Sequence, residues 1–148
     1  MRGQRFTCQQ GLGEIVEAPA LVSMYTFSPR YDLDRVNGTF TRLGHPLFGE
    51  PIAGKILVCP GVQGGIAGGW AFLMMQGRGV GFAGLIFGKV NPVMVQGAAA
   101  AGIPLVAGVD DAIFTALENH QLIRLDPKAR QVTILDPGVL PGRAGGAD

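Results

Sequence analysis

Apolar residues in the second half of this chain fall into short unbroken runs separated by stretches of helical spacing. Ile56 to Cys59, Gly84 to Phe87 and Pro104 to Ala107 contain no charged or strongly polar position. Such runs are the mark of strands buried on both faces. Between them, Ile66 to Gln76 has helical spacing and closes at Gly77-Arg78-Gly79. Val93 to Ala101 opens behind Pro92, with Asn91 as candidate N-cap, and stops at Gly102. Asp110 or Asp111 caps a further helix from Ala112 to His120. This β-α-β-α-β-α order predicts a parallel sheet with right-handed crossovers.

The two ends read as β. Phe6 to Gln9 and Ala20 to Met24 are candidate strands. Thr26 to Arg35 holds Ser28-Pro29 and reads as loop or irregular extended chain. Asn37-Gly38 signals a turn between Arg35-Val36 and Thr39-Phe40. Leu43 to Gly54 is loop, and Pro60 is expected to end the Ile56 strand because it lacks an N–H. Leu122 to Leu125 and Gln131 to Leu135 flank Asp126-Pro127-Lys128-Ala129 as a hairpin. These outer strands form a second β layer or extend the parallel sheet. The prediction is an α/β fold with a β/β/α layered arrangement around a central short parallel sheet. A single domain covers residues 1–139, and residues 140–148 form a flexible tail.

Composition narrows the class. A chain of 148 residues fits one domain with a real core. With 16% charged residues and a net charge of +1, no nucleic-acid or anionic-membrane partner is expected. No run approaches the ~18 apolar residues of a membrane span. MRGQRFTCQQG lacks the apolar core of a signal peptide, so a cytoplasmic location is expected. The low charge leaves room for a covered surface, by a partner or by self-association. Cys8 and Cys59 form no CxxC pattern, and two thiols fall short of the roughly four ligands of an iron–sulfur cluster. His45 lies in a turn and reads as structural or exposed, with general acid–base work as the alternative. No metal site is expected in this chain.

The segment KILVCPGVQGGIAGGW, Lys55 to Trp70, is the strongest functional signal. A strand, a glycine-rich turn and a helix N-terminus together suit a bound anion. Close strand–helix packing explains the same glycines equally well. Lys89 follows a strand end, as a cation at that sheet edge or as a solvated loop lysine. Asn91 is better explained as a cap. Arg30, Tyr31, Asp32 and Asp34 form the densest polar cluster, either a cleft rim or solvated loop charges. Arg30 is the preferred anion-binding candidate there, since a guanidinium matches a carboxylate bidentately. Trp70, Phe72, Met74 and Met75 read as core, and any exposed part becomes a partner surface.

The order of these segments resembles the swivel domain of the aconitase X family. The likeness lies in ALVS near residue 20, the Asn37-Gly38 turn and HPLFG at 45–49. It continues through AGKILVCP at 53–60, the glycine loop and helix, and NP with GAAAAGIPLV at 91–106. It spans roughly residues 11 to 110, and its specificity lies in the order and spacing together. The resemblance implies a swivelling β/β/α domain, fused to or standing beside a larger catalytic part. That larger part is expected to bind iron or an iron–sulfur cluster and most of the substrate, so this chain binds no cofactor of its own. The family's activities are dehydrations of hydroxy acids, including phosphomevalonate and cis-3-hydroxyproline.

The resemblance then implies a small hydro-lyase subunit that closes the site of a large catalytic subunit through its glycine loop. Gln63, Gly64, Gly65 and Ile66 would contact the hydroxy-acid substrate, with Arg30 and Lys89 as cations. The family loop usually carries a Ser for proton transfer and a basic residue. Here Gln63 stands in place of the basic residue and Gly65 in place of the Ser. Either another group supplies the chemistry, or the substrate differs, or the subunit is not catalytic. Ser23 and Ser28 are the nearest alternative hydroxyls, and Ser28 is preferred as the catalytic candidate. The alternative is a non-catalytic ligand-binding or regulatory swivel module that self-associates, a possible homo-oligomer. Without GxSxG or clustered titratable groups in the α/β half, a self-contained enzyme is the weakest reading.

Overall fold

The computed structural model describes residues 3–29, 31–62 and 66–135, with only the backbone of 66–69. In it, β3 (Val16–Val22) joins two halves of the molecule. Its first part pairs antiparallel with β9 (Leu122–Asp126), Val16 against Leu125. Its last part pairs in parallel with β6 (Ile56–Gly61), Ala20 against Ile56. Beyond β9 lie β10 (Gln131–Ile134) and then β1 (Arg5–Thr7), all antiparallel. Beyond β6 lie β7 (Gly84–Lys89) and β8 (Leu105–Ala107), both parallel, and β2 (Gln10–Leu12) antiparallel at the edge. Among the described residues this gives an 8-stranded sheet in the order β1-β10-β9-β3-β6-β7-β8-β2. A small ribbon, β4 (Leu33–Asp34) with β5 (Thr39–Phe40), stands beside it.

Alternation along the parallel strands builds two cores. Leu57, Cys59, Leu85, Phe87 and Leu105 face one way. They pack under Phe72 and Met75 of α1 (Ile66–Gly77) and Met94 and Ala98 of α2 (Pro92–Ala101). Ile56, Val58, Ile86 and Val106 face the other way, against Phe6, Ile123, Leu125, Val132 and Ile134. The antiparallel half therefore lies over the parallel half, and the domain has three layers, β/β/α. Gly84 shows the contact directly: a Cβ there would stand 2.8 Å from Leu125 Cδ2. Full burial of each large apolar side chain stabilises by about 1.5–3 kcal/mol, and both cores are built almost wholly of such residues.

The expected elements are present with adjusted limits. The strand expected from Phe6 to Gln9 is two strands on opposite sheet edges. The chain crosses between them at Cys8 and Gln9, whose N–H groups donate to Arg130 O and Ala107 O. The strand expected over Ala20 to Met24 starts earlier, at Val16, and stops before Ser23, whose Oγ accepts from Tyr25 N–H at 2.9 Å. Pro60 lies inside β6, contrary to expectation. Pairing with β3 has ended at Val58, so the missing N–H removes no rung on that side. The turn at Asn37-Gly38 is longer than a two-residue hairpin: Asp34 opposes Thr39, and Gly38 has φ 74°.

α2 has the expected caps, with Asn91 Oδ1 accepting from Met94 N–H and Gly102 left-handed at φ 71°. The helix expected from Ala112 to His120 is only α3 (Ile113–Ala116). The following chain is drawn to β3: His120 N–H donates to Ala20 O at 2.7 Å and Ala20 N–H to Gln121 O at 2.9 Å. Neither aspartate caps it: the N-cap is Ala112, without a side-chain cap, and Asp110 accepts from Ala112 N–H at 3.0 Å in the turn ahead of the helix. The hairpin of β9 and β10 is as expected. The expected tail lies outside the described residues.

Candidate functional site

The parallel strands deliver their C-terminal ends to one edge. Lys89 at the end of β7 stands in register with Gly61 at the end of β6. Between them Gly88 lies so close to the neighbouring strand that a Cβ would meet Pro60 O at 2.6 Å. Segment 26–28 lies across this end, with Phe27 N–H donating to Gly61 O at 2.9 Å and Phe27 bridging to Val62. The ring of Phe27 holds the segment down among Phe40, Phe72 and Phe82, at centroid distances of 5.8, 6.4 and 5.7 Å. The result is an open cleft of about 620 Å³ whose lining includes Thr26, Gly61, Val62, Lys89, Asn91 and Asp111.

Lys89 therefore sits at the edge where the sequence placed it. Gln63, Gly64 and Gly65 lie outside the described residues, and so does Arg30. Ile66 is the first residue of α1. The strand that enters the glycine segment and the helix that leaves it are thus both fixed, and Val62 at its entrance lines the cleft.

A second cleft of about 400 Å³ adjoins the first and shares Thr26 with it. Its lining includes Ser28, Asp32, Arg42 and His45. Asp32 is 2% exposed. Its Oδ2 accepts from Ser28 N–H at 2.8 Å, and its Oδ1 accepts from Arg42 Nη1 at 3.1 Å. Behind it, the His45 ring stacks on Phe40 with centroids 5.1 Å apart, and its Nδ1 accepts from Leu47 N–H at 3.0 Å. That bond leaves the proton on Nε2. Nε2 is buried, has no hydrogen-bond partner, and lies 4.0 Å from Asp32 Oδ2. Burial pushes the His45 pKa down; Asp32 opposes this and Arg42 adds to it.

The polar cluster at 30–34 thus divides. Asp32 is a buried anchor, not a solvated loop charge. Asp34 binds its own turn, and the backbone and side-chain hydrogen bonds from Asn37 hold its carboxyl below the usual range. Tyr31 is exposed. His45 is structural and buried. Arg42 is the residue that sequence reasoning missed. Its signal was hairpin register: with Leu33 opposite Phe40, Asp32 meets Thr41, and Thr41 N–H donates to Asp32 O at 2.9 Å. Ser28, the hydroxyl candidate, lines this second cleft, not the first. Ser23 is buried and binds locally to Tyr25.

The apolar cluster on α1 also divides. Phe72 and Met75 are core, whereas Trp70, at 61% exposed, and Met74 face outward. No helix among the described residues is long and apolar enough to cross a membrane.

Comparison with known proteins places these features in a family context. The family model described as the aconitase X swivel domain matches residues 5–134. The phosphomevalonate dehydratase small subunit of Pyrococcus horikoshii is 32% identical over 132 residues, covering 88% of this chain and 96% of the relative. The protein of the same name from Methanothrix thermoacetophila is 30% identical over 131 residues, covering 88% and 94%. The crystal structure of holo aconitase X from Thermococcus kodakaraensis superposes with a TM-score of 0.83 at 27% identity. That match covers 90% of this chain and 100% of the other.

Proposed function

Because this chain belongs to the aconitase X swivel-domain family, we propose that it is the small subunit of a two-subunit hydro-lyase. The reaction is loss of water from a hydroxy acid, of the phosphomevalonate dehydratase type that its relatives' names describe. The observation that carries this reading is the match along almost the whole length of those relatives, with the Lys89 cleft at the mouth of the glycine segment.

In this reading the sheet edge closes over substrate held by a large subunit. Lys89 provides a positive charge for an acidic group of the substrate. This reading assigns Gln63 and the amides of Gly64, Gly65 and Ile66 to the same anion, because a glycine segment ahead of a helix N-terminus suits one. Arg30 is assigned the part of a second cation, since a guanidinium matches a carboxylate bidentately. Closure excludes water, which strengthens these contacts and completes the site. The loop Val62-Gln63-Gly64-Gly65 offers no hydroxyl or charge, so its part is to cover and orient. Ser28 is the serine hydroxyl that lines the neighbouring cleft, together with Thr26 and Tyr25.

Iron or an iron–sulfur cluster belongs to the large subunit. The thiols here do not fit such a group: Cys59 is buried, its pKa is pushed up to about 12 by burial, and its Sγ donates to Gly61 O. Cys8 is half-buried, with its pKa pushed up to about 11 by burial. No group of three or more potential ligands among the described residues is placed to hold a metal.

The deciding experiment is co-expression with an aconitase-X-type large subunit, then purification and assay of hydroxy-acid dehydration. A stable complex whose KM rises about ten-fold with Lys89→Met supports the reading. Absence of a complex, or a complex without dehydratase activity, overturns it. Without a complex, a stand-alone binding module takes its place.

A further inference from the structure

We propose that the Arg42 cleft is a second anion site, which binds one acidic end of a ligand whose other end lies in the Lys89 cleft. The size and class of that ligand rest on the dehydratase reading. The site itself rests on its own geometry.

Arg42 is built for this task. Its side chain is 58% exposed at the cleft, yet Nη1 is tied to a carboxylate that is 2% exposed. A guanidinium has five N–H donors in a fixed fork, and the bond to Asp32 uses one of them. The outer edge of the fork stays open to a carboxylate or phosphate, bidentately. An anchored guanidinium loses less side-chain freedom on binding than a free one.

The anchor is over-determined. Asp32 Oδ2 takes Ser28 N–H at 2.8 Å, Asp32 N–H donates to Ser28 O at 2.9 Å, and Asp32 O takes Thr41 N–H at 2.9 Å. His45, its side chain 4% exposed, presents an unpartnered Nε2–H toward the same carboxylate. A buried N–H without an acceptor is uncommon and calls for a reason. Here it places positive partial charge behind the Asp32 carboxylate that holds Arg42. Among the described residues, the charged and titratable groups that line this cleft are Asp32, Arg42, His45 and Tyr25.

Thr26 lines both clefts. A small ligand lying across Thr26 can reach Arg42 at one end and Lys89 at the other. The missing positive charge of the glycine loop, where Gln63 stands, is then supplied from β4–β5 and its flank.

The test uses the full chain and two simple probes, inorganic phosphate and acetate. Binding is followed by NMR at the Arg42 Nε–H, the Ser28 amide and the His45 ring. Saturable shifts at these three are expected with at least one probe, and the probe that binds tighter names the acidic group held there. Arg42→Gln should weaken that binding at least ten-fold. Arg42→Lys keeps a charge for Asp32, so it keeps the fold, but lacks the fork and should weaken binding several-fold. No saturable shift, or equal affinity in wild type and Arg42→Lys, overturns the site. This readout needs no dehydratase activity. If phosphate or acetate binds and the reconstituted pair is inactive, the anion site stands and the enzyme reading falls. If the pair is active and Arg42→Lys leaves both KM and probe binding unchanged, the anion site falls and the enzyme reading stands.

Discussion

Leu47 N–H donates to His45 Nδ1 at 3.0 Å, and this bond requires the histidine to be neutral. A proton on Nδ1 would set two donors against each other inside a packed loop. Burial lowers the His45 pKa, with Asp32 opposing and Arg42 reinforcing that shift. The unfolded chain therefore binds this proton more readily than the folded one. The contribution to stability is complete above the ordinary value of 6.5 and is lost as pH falls below it. The expected slope is at most about 1.4 kcal/mol per pH unit for one proton. Urea unfolding between pH 7 and pH 5, with an NMR titration of His45, measures both. A His45 pKa above the ordinary value would contradict it.

Gly88 and Gly84 make contrasting packing predictions. A Cβ at Gly88 meets the backbone carbonyl of Pro60 at 2.6 Å, and backbone cannot swing aside. Gly88→Ala is expected to destabilise by ~1–3 kcal/mol and to spread the strand ends at the Lys89 cleft. A Cβ at Gly84 meets the tip of Leu125 at 2.8 Å, which can rotate, so Gly84→Ala should cost less. Equal losses in chemical denaturation would refute the contrast.

Asn91 lines the Lys89 cleft, but its Oδ1 is used by Met94 N–H at 2.9 Å. Asn91→Ala should cost about 1 kcal/mol, and Asn91→Ser should restore most of it, as expected of a cap. A loss of substrate affinity in Asn91→Ser at full stability would give this residue a role in binding.

The two thiols should be inert in the folded protein. Burial pushes Cys59 up to about 12 and Cys8 up to about 11, so thiolate is scarce near neutrality. A disulfide-exchange reagent at pH 8 is expected to react slowly with native chain and fully after unfolding in guanidinium. Rapid reaction of Cys59 in the native state would mean that β6 opens readily.

Much of the α/β half is legible in the sequence because its signals are local. Apolar runs of strand length, Pro92 behind Asn91, and Gly102 after the last helical residue each act within a few positions. The resemblance extends that legibility to the layered fold, since it depends on order and spacing along the chain. The hairpin of β9 and β10 is local as well.

The tertiary structure alone decided which strands meet and which polar residues are buried. Pro60 is tolerated in β6 because β3 has already parted from it. The helix expected up to His120 is cut short because β3 offers Ala20 O and N–H to the following chain. Asp32, Arg42 and His45 lie ten and three positions apart, and no helix or strand period links them. They meet because the β4–β5 ribbon sets Asp32 opposite Thr41 and the Phe40 ring carries His45 inward. Local sequence sets which elements form, since hydrogen bonding and capping act between near neighbours. The site depends on pairing between distant segments, whose free energy comes from burying surfaces that no single segment can bury alone.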